Sequence, residues 1–190
     1  MDCLTQIRQR IDALLQTHQR VLIAIDGNCT AGKTTLARAL AGEYTCNVFH
    51  MDDFFLRPEQ RTAERLAQAG GNVDYERFRE EILRPLTEGR AVTYRPYDCH
   101  SRALKDPVAV APRQLNIIEG TYSQHPYFGD PYQLTIFLSV PEALQRQRIG
   151  LRPERVRQRF FAEWIPMEQR YFEAFDICRN SDLALDAIDL

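Results

Sequence analysis

No apolar run in this chain approaches the roughly 20 consecutive residues that a membrane-spanning helix needs. There is no C-x-x-C pair. The five cysteines, Cys3, Cys29, Cys46, Cys99 and Cys178, are scattered. That spacing argues against a zinc site and against a disulfide framework, and it reads as reduced thiols. The first residues lack the pattern of a secretory leader, so the expected compartment is the cytoplasm. Strong charge is missing too. A formal net charge of −2 gives no reason to expect a nucleic-acid or membrane surface. Internal repeats and low-complexity tracts are absent. What remains is an ordinary globular balance, 44% apolar and 26% charged over 190 residues, which fits one domain spanning 1–190.

Against that background, residues 27 to 34 stand out. Gly27-Asn28-Cys29-Thr30-Ala31-Gly32-Lys33-Thr34 matches the phosphate-binding pattern G-x-x-x-x-G-K-[ST] in full. A chance match in a chain this long has a probability of roughly one in a hundred. The flanks support it. Val21 to Ile25 is an apolar run that suits a buried parallel strand. Thr35 to Ala41 is rich in helix formers, with Gly42 as the expected stop. The two glycines let successive backbone N–H groups turn inward as an anion nest, and a helix opening near Lys33 adds its positive end. Lys33 is expected to reach the β- and γ-phosphates of a nucleotide. Thr34 is expected on Mg²⁺, with Thr35 beside it. Asp26 is assigned no chemistry.

Strands alternating with helices predict an α/β doubly wound parallel sheet. Leu4, Ile7, Ile11, Leu14 and Leu15 form one face of an N-terminal helix within 1–18. Short strands are expected at Cys46 to His50, Leu115 to Gly120, Leu134 to Val140 and Ser181 to Asp186. Residues 57 to 72 read as a surface excursion. Asp74 is a plausible N-cap of a helix carrying Tyr75, Phe78, Ile82 and Leu86. Residues 91 to 113 read as a small hairpin-like arm. Pro141 is expected at the first turn of a helix bearing Arg146 and Arg148. A longer helix is expected over about Pro153 to Phe175, where Trp164, Met167, Tyr171 and Phe175 read as a packing stripe.

In open α/β sheets the ligand sits beyond the carboxyl ends of the strands. That rule gathers the loop, Asp52 and Glu119 at one edge. Asp52 and Asp53 close the second strand, and alternation lets only one of them face the γ-phosphate. Such a carboxylate can take a proton from an acceptor hydroxyl or hold a Mg²⁺-bound water. An Asp pair here also serves as a turn and cap. Glu119 is the candidate Mg²⁺ carboxylate. No Asp-x-x-Gly switch and no Asn-Lys-x-Asp base reader occur, which counts against a GTPase. Arg146, Arg148, Arg152 and Arg155 are lid candidates for the transferring phosphoryl group, or simply a solvated basic face. His125, just after Glu119, is a candidate for lining an acceptor pocket, with no site role as the alternative.

In order, GNCTAGKT, MDDFF, GNVDYERF, RPYDCHSR and IIEG resemble the motifs of the uridine kinase, nicotinamide riboside kinase and phosphoribulokinase group of P-loop kinases, over about residues 20 to 186. The resemblance implies a P-loop domain with an acceptor-binding insertion at about 57–113 and a short helical lid at about 146–160. It implies Asp52 as catalytic base, with Lys33 and Arg148 aiding transfer. Asn72-Val73-Asp74 is similar to a motif whose Asp holds sugar hydroxyls. Tyr97-Asp98-Cys99-His100-Ser101-Arg102 is similar to a motif whose Tyr and His hold the base. Here the His lies two residues nearer the Tyr, and Cys99 stands where an aromatic is usual. The expectation is a Mg²⁺·ATP-dependent kinase acting on a small hydroxyl acceptor, with uridine or cytidine foremost. Nicotinamide riboside, pantothenate and sugars are alternatives, as is a P-loop ATPase or binding protein. A homo-oligomer is possible on this reading.

Overall fold

The computed structural model describes residues 3–187. Helix α1 (Cys3–Thr17) leads into β1 (Val21–Gly27), and α2 (Lys33–Glu43) and β2 (Cys46–His50) follow. The excursion carries α3 (Ala63–Ala67). Next come α4 (Tyr75–Phe78), a π turn over Arg79–Leu83, and α5 (Arg84–Glu88), continuous in backbone conformation. The arm contains β3 (Val92–Tyr94), β4 (Tyr97–Asp98), β5 (Ala103–Leu104) and β6 (Val108–Val110). It is a nested hairpin, with β3 antiparallel to β6 and β4 to β5. The chain then forms β7 (Leu115–Glu119), β8 (Leu134–Ser139), α6 (Glu142–Gly150) and α7 (Glu154–Arg159). A second π turn (Phe160–Trp164) precedes α8 (Ile165–Ala174), α9 (Ile177–Asn180) and β9 (Leu183–Asp186).

Among the described residues the main sheet is parallel throughout, in the order β2-β7-β1-β8-β9. β1 is buried along its whole length, so both faces must be apolar, and the alternation sorts them. Val21, Ile23 and Ile25 pack with Ile7, Ile11, Leu36 and Leu40 on the α1/α2 side. Leu22 joins Phe54, Phe78, Ile82, Phe137 and Tyr171 on the other. Register then sets the site. Ile25 and His50 both pair with Glu119, and Gly27 pairs with Leu138. The central strands therefore run out at one edge.

Two prolines explain the π turns. Pro85 and Pro166 each lie two residues past one. Proline has no N–H and crowds the carbonyl one turn back, and a widened turn relieves both problems. Two boundary expectations are corrected. Gly42 does not stop α2, which runs to Glu43 and ends where Tyr44 becomes extended. Pro141 is the residue before α6 rather than its first helical position.

Candidate active site

The loop between β1 and α2 has the backbone of an anion nest. Gly27 and Gly32 have φ of 134° and 96°, and Thr30 is left-handed at 64°. Gly27 is required twice over, because a Cβ there would lie 2.1 Å from the Leu138 carbonyl oxygen. Helix α2 starts with no side-chain cap and no acidic residue in its first turn, so its N–H groups are left for a ligand. The Thr30 hydroxyl is buried without a hydrogen-bond partner among the described residues. The Lys33 ammonium donates to the carbonyls of Gly27 and Asn28, both at 2.8 Å. Cys29 to Thr35 line a cleft of about 1260 Å³. That exceeds the usual size of a pocket for one small molecule and leaves room for a donor and an acceptor.

Across from the loop, Glu119 ends β7. The Thr34 hydroxyl donates to it at 3.0 Å, and His50 Nδ1 lies 2.5 Å from the same carboxylate oxygen. The Glu119 bond is the main cause that raises the His50 pKa. Asp52 lines the cleft; Asp53 is not among its lining residues. The expected strand alternation is not the reason. The pair sits on a 3₁₀ turn, Met51–Phe54, where neighbours diverge by about 120°. Asp53 turns to the Tyr94 hydroxyl instead. Asp52 is solvent-exposed on the cleft side, with protein packed behind its carboxyl group. That enclosure raises its pKa, the Glu119 charge raises it further, and Lys33 and His50 oppose the rise. A carboxylate shifted this way is a better proton acceptor than a free one.

Thr34, Glu119 and Asp52 together offer only hard oxygen donors, the class Mg²⁺ takes. Among the described residues no group of three or more His, Cys, Asp and Glu forms a closed metal site. Such a partial set fits Mg²⁺, which keeps several waters and takes substrate phosphate oxygens.

The lid expectation divides. Arg148 lines the cleft and donates to the Thr30 carbonyl at 2.8 Å. Arg152 and Arg159 also line it. Arg146 is held by Glu142, and neither Arg146 nor Arg155 is among the lining residues. The supposed packing stripe divides as well. Tyr171 is buried, but Trp164 and Met167 line the cleft.

Of the acceptor residues implied by resemblance, Tyr97 and Arg102 line the cleft; Asp74 and His100 do not. Asp74 is buried as the N-cap of α4, accepting from the Arg77 N–H at 3.1 Å and from Gln60 at 2.8 Å. His100 is exposed, with its N–H on Asp98.

Several residues escaped the sequence reading. Asp26 is fully buried and takes four donors: the N–H groups of Gly27, Tyr122 and Gln124, and the Tyr171 hydroxyl at 2.9 Å. Burial raises its pKa against the pull of those bonds. Glu168 on α8 accepts from the Cys29 N–H at 3.0 Å, and Gln145 on α6 bridges Cys29 and Glu168. These contacts tie the phosphate loop to the helices above it. Of the residues missed, only His50 left a signal in the sequence. It ends a strand of the same length as the one ending in Glu119. His125 is buried against Tyr75, Tyr171 and Phe128 and is not among the residues lining the cleft.

No protein-family model matches the chain, and no curated protein matches it significantly. Solved structures do match. A possible uridine kinase from Bacillus stearothermophilus superposes with a TM-score of 0.69 at 23% identity, covering 95% of this chain and 100% of that one. D-glycerate 3-kinase from Cryptococcus neoformans var. grubii gives 0.68 at 11% identity, covering 98% and 96%. Phosphoribulokinase from Rhodobacter spheroides gives 0.58 at 13%, covering 88% and 70%. At these identities the likeness is one of fold, and the chain has the α/β P-loop fold of the uridine kinase and phosphoribulokinase group.

Proposed function

We propose that this protein transfers the terminal phosphoryl group of ATP to a hydroxyl of a small, sugar-type acceptor. The observation that carries this is the placement of Asp52. Its carboxylate, with a raised pKa, faces the same cleft as Lys33 and Thr34. Backbone N–H groups of the loop and of α2 bind the polyphosphate, with Lys33 neutralising charge. Thr34, Glu119 and Asp52 are the groups that would hold Mg²⁺, which supplies charge neutralisation on the phosphates. Asp52 orients the acceptor hydroxyl and takes its proton as the oxygen attacks in line. Arg148, already on the loop carbonyl of Thr30, is the lid residue best placed to follow the transferring group. Closure of α6 and α7 over the cleft excludes water as a competing acceptor. Uridine or cytidine is favoured among acceptors by the position of Tyr97 and the likeness to a possible uridine kinase. Asp74 and His100, which would complete a nucleoside site, lie outside the cleft lining.

The test is ADP release with and without a panel of nucleosides, sugars and hydroxy acids, with the product identified by mass spectrometry. A kinase is strongly stimulated by its acceptor and yields a phosphorylated product. Equal ADP release with and without every acceptor would favour an ATPase instead.

A further inference from the structure

We propose that Trp164 is a specificity-determining residue of the acceptor site, its indole stacking against a flat ring that the acceptor carries beside its reacting hydroxyl. The ring is then recognised by its face. This rests on the kinase reading above and adds a residue to it.

The helical run from Arg159 to Glu168 supplies a wall of the cleft. Arg159, Phe160, Glu163, Trp164, Met167 and Glu168 all line it, as two rows four residues apart. On a regular α-helix of about 3.6 residues per turn, such rows drift by about 40° at each step, and Arg159 and Glu168 would point in opposite directions. The π turn over Phe160–Trp164 is wider and takes up that drift. Pro166 explains why the turn widens. The consequence is that six side chains stay on the cleft face. Three of them are apolar and have no place in the interior. Among the described residues, Phe160, Trp164 and Met167 are half-buried and join neither core cluster. Phe172 and Phe175, further along the same helical run, do pack against the core. Apolar surface kept out of the core and turned into a cleft marks a binding wall.

Two contacts fix where this wall stands. The Glu168 carboxylate accepts from the N–H of Cys29 in the phosphate loop at 3.0 Å. The Arg170 guanidinium donates to the carbonyls of Leu66 and Ala67 in the 57–113 insertion, at 3.4 and 3.2 Å. Helix α8 is therefore pinned both to the loop and to the insertion. With a rise of about 1.5 Å per residue, Trp164 stands about 6 Å from Glu168 along the helix, one short step beyond the loop. A ring joined through one sugar to a hydroxyl at the terminal phosphate reaches that far. The indole is also held in place. Phe160 meets it edge to face, with ring centres 4.6 Å apart at 86°, and the Arg159 guanidinium lies 4.9 Å from its centre. Arg159 is in turn paired with Glu163. A large ring fixed beforehand loses little freedom when a ligand stacks on it.

Two measurements test the proposal. The first follows the fluorescence of Trp164, the only tryptophan, in the unmodified chain. A non-hydrolysable ATP analogue with Mg²⁺ fills the loop first. Uridine, inosine and ribose are then titrated separately. Uridine and inosine should each quench the indole saturably, with dissociation constants within about 10-fold of one another, because every base presents a π face. Ribose should leave the signal unchanged. A response to neither nucleoside, or to only one of them, overturns the proposal, and so does an equal response to ribose. A change that the ATP analogue alone exhausts also overturns it, since the indole would then lie against the donor.

The second is turnover of the same nucleosides. Trp164→Leu keeps apolar bulk without a π face and should raise the nucleoside KM about 10-fold or more, with the KM for ATP unchanged. Trp164→Phe should recover most of that loss. Because Trp164 joins neither core, both variants should melt close to the wild type. A wild-type nucleoside KM in Trp164→Leu overturns the proposal and leaves the kinase reading standing. No turnover of any acceptor counts against the kinase reading itself, and the titration still decides the role of the indole.

Discussion

On the proposed mechanism, Asp52 is the residue on which the chemistry turns. Asp52→Asn keeps its size and removes its basicity. Turnover should fall by about 100-fold or more, the usual contribution of a positioned base. ATP affinity, measured by equilibrium binding, should stay near the wild-type value. Unchanged turnover would remove Asp52 from the base role. His125 makes a second prediction, on stability. Its ring is buried, its Nδ1 accepts from the Tyr127 N–H, and burial lowers its pKa from 6.5 to about 4. A lowered folded pKa means that the unfolded chain binds the proton first as pH drops. The stability is whole above about pH 6.5 and is lost as pH falls towards about 4. The full loss is on the order of 3 kcal/mol. Urea denaturation across this range should show the slope, and His125→Phe should flatten it. At this scale the gathering of the loop residues, Asp52 and Glu119 at one cleft was legible, because each belongs to a local pattern. His50 left only its matched strand length as a signal, and Gln145 and Glu168 left none, because their partners lie 69, 116 and 139 residues away.

Two glycines separate what a sequence pattern says about an element from what its neighbours impose. Gly42 looked like a helix stop, yet it lies inside α2 without a positive φ, and a Cβ added there would meet nothing within 4 Å. Gly42→Ala should stabilise the protein by about 0.5–1 kcal/mol. Gly27 is the opposite case. Its Cβ would enter the Leu138 backbone at a φ of 134°. Gly27→Ala should cost on the order of 3 kcal/mol or more, or prevent folding. Chemical denaturation of the two variants measures both signs, and wild-type stability for Gly27→Ala would show that β1 and β8 separate readily. The strands were read to within two residues because their apolar runs are dense and bounded. The π turns escaped, although Pro85 and Pro166 announce that something must widen before them.

For the whole molecule, ligand binding and folding are linked. ATP with Mg²⁺ at 100 times its dissociation constant should stabilise the native state by about 2.7 kcal/mol. For a chain of this size that is a rise in Tm of roughly 5–11 °C. Lys33→Ala should lose most of that rise in a thermal melt. A full shift in that variant would contradict the assignment of the loop. The described residues include no helix long and apolar enough to cross a membrane. The core lies on both faces of one parallel sheet, and the cleft sits at the edge where the central strands end.

The sequence by itself determined the phosphate-loop half of the candidate site. A phosphate nest needs glycines, a lysine and a helix start within a single loop, and chain connectivity alone brings them together. It also determined the sheet, since buried parallel strands must be apolar on both faces. The tertiary structure decided the rest. Parallel register placed His50 beside Glu119. A 3₁₀ turn, rather than strand alternation, separated Asp52 from Asp53. The nested hairpin brought Tyr97 and Arg102 into the cleft and left His100 outside it, and the cap of α4 took Asp74. Those outcomes depend on contacts between distant segments, whose geometry no local spacing encodes.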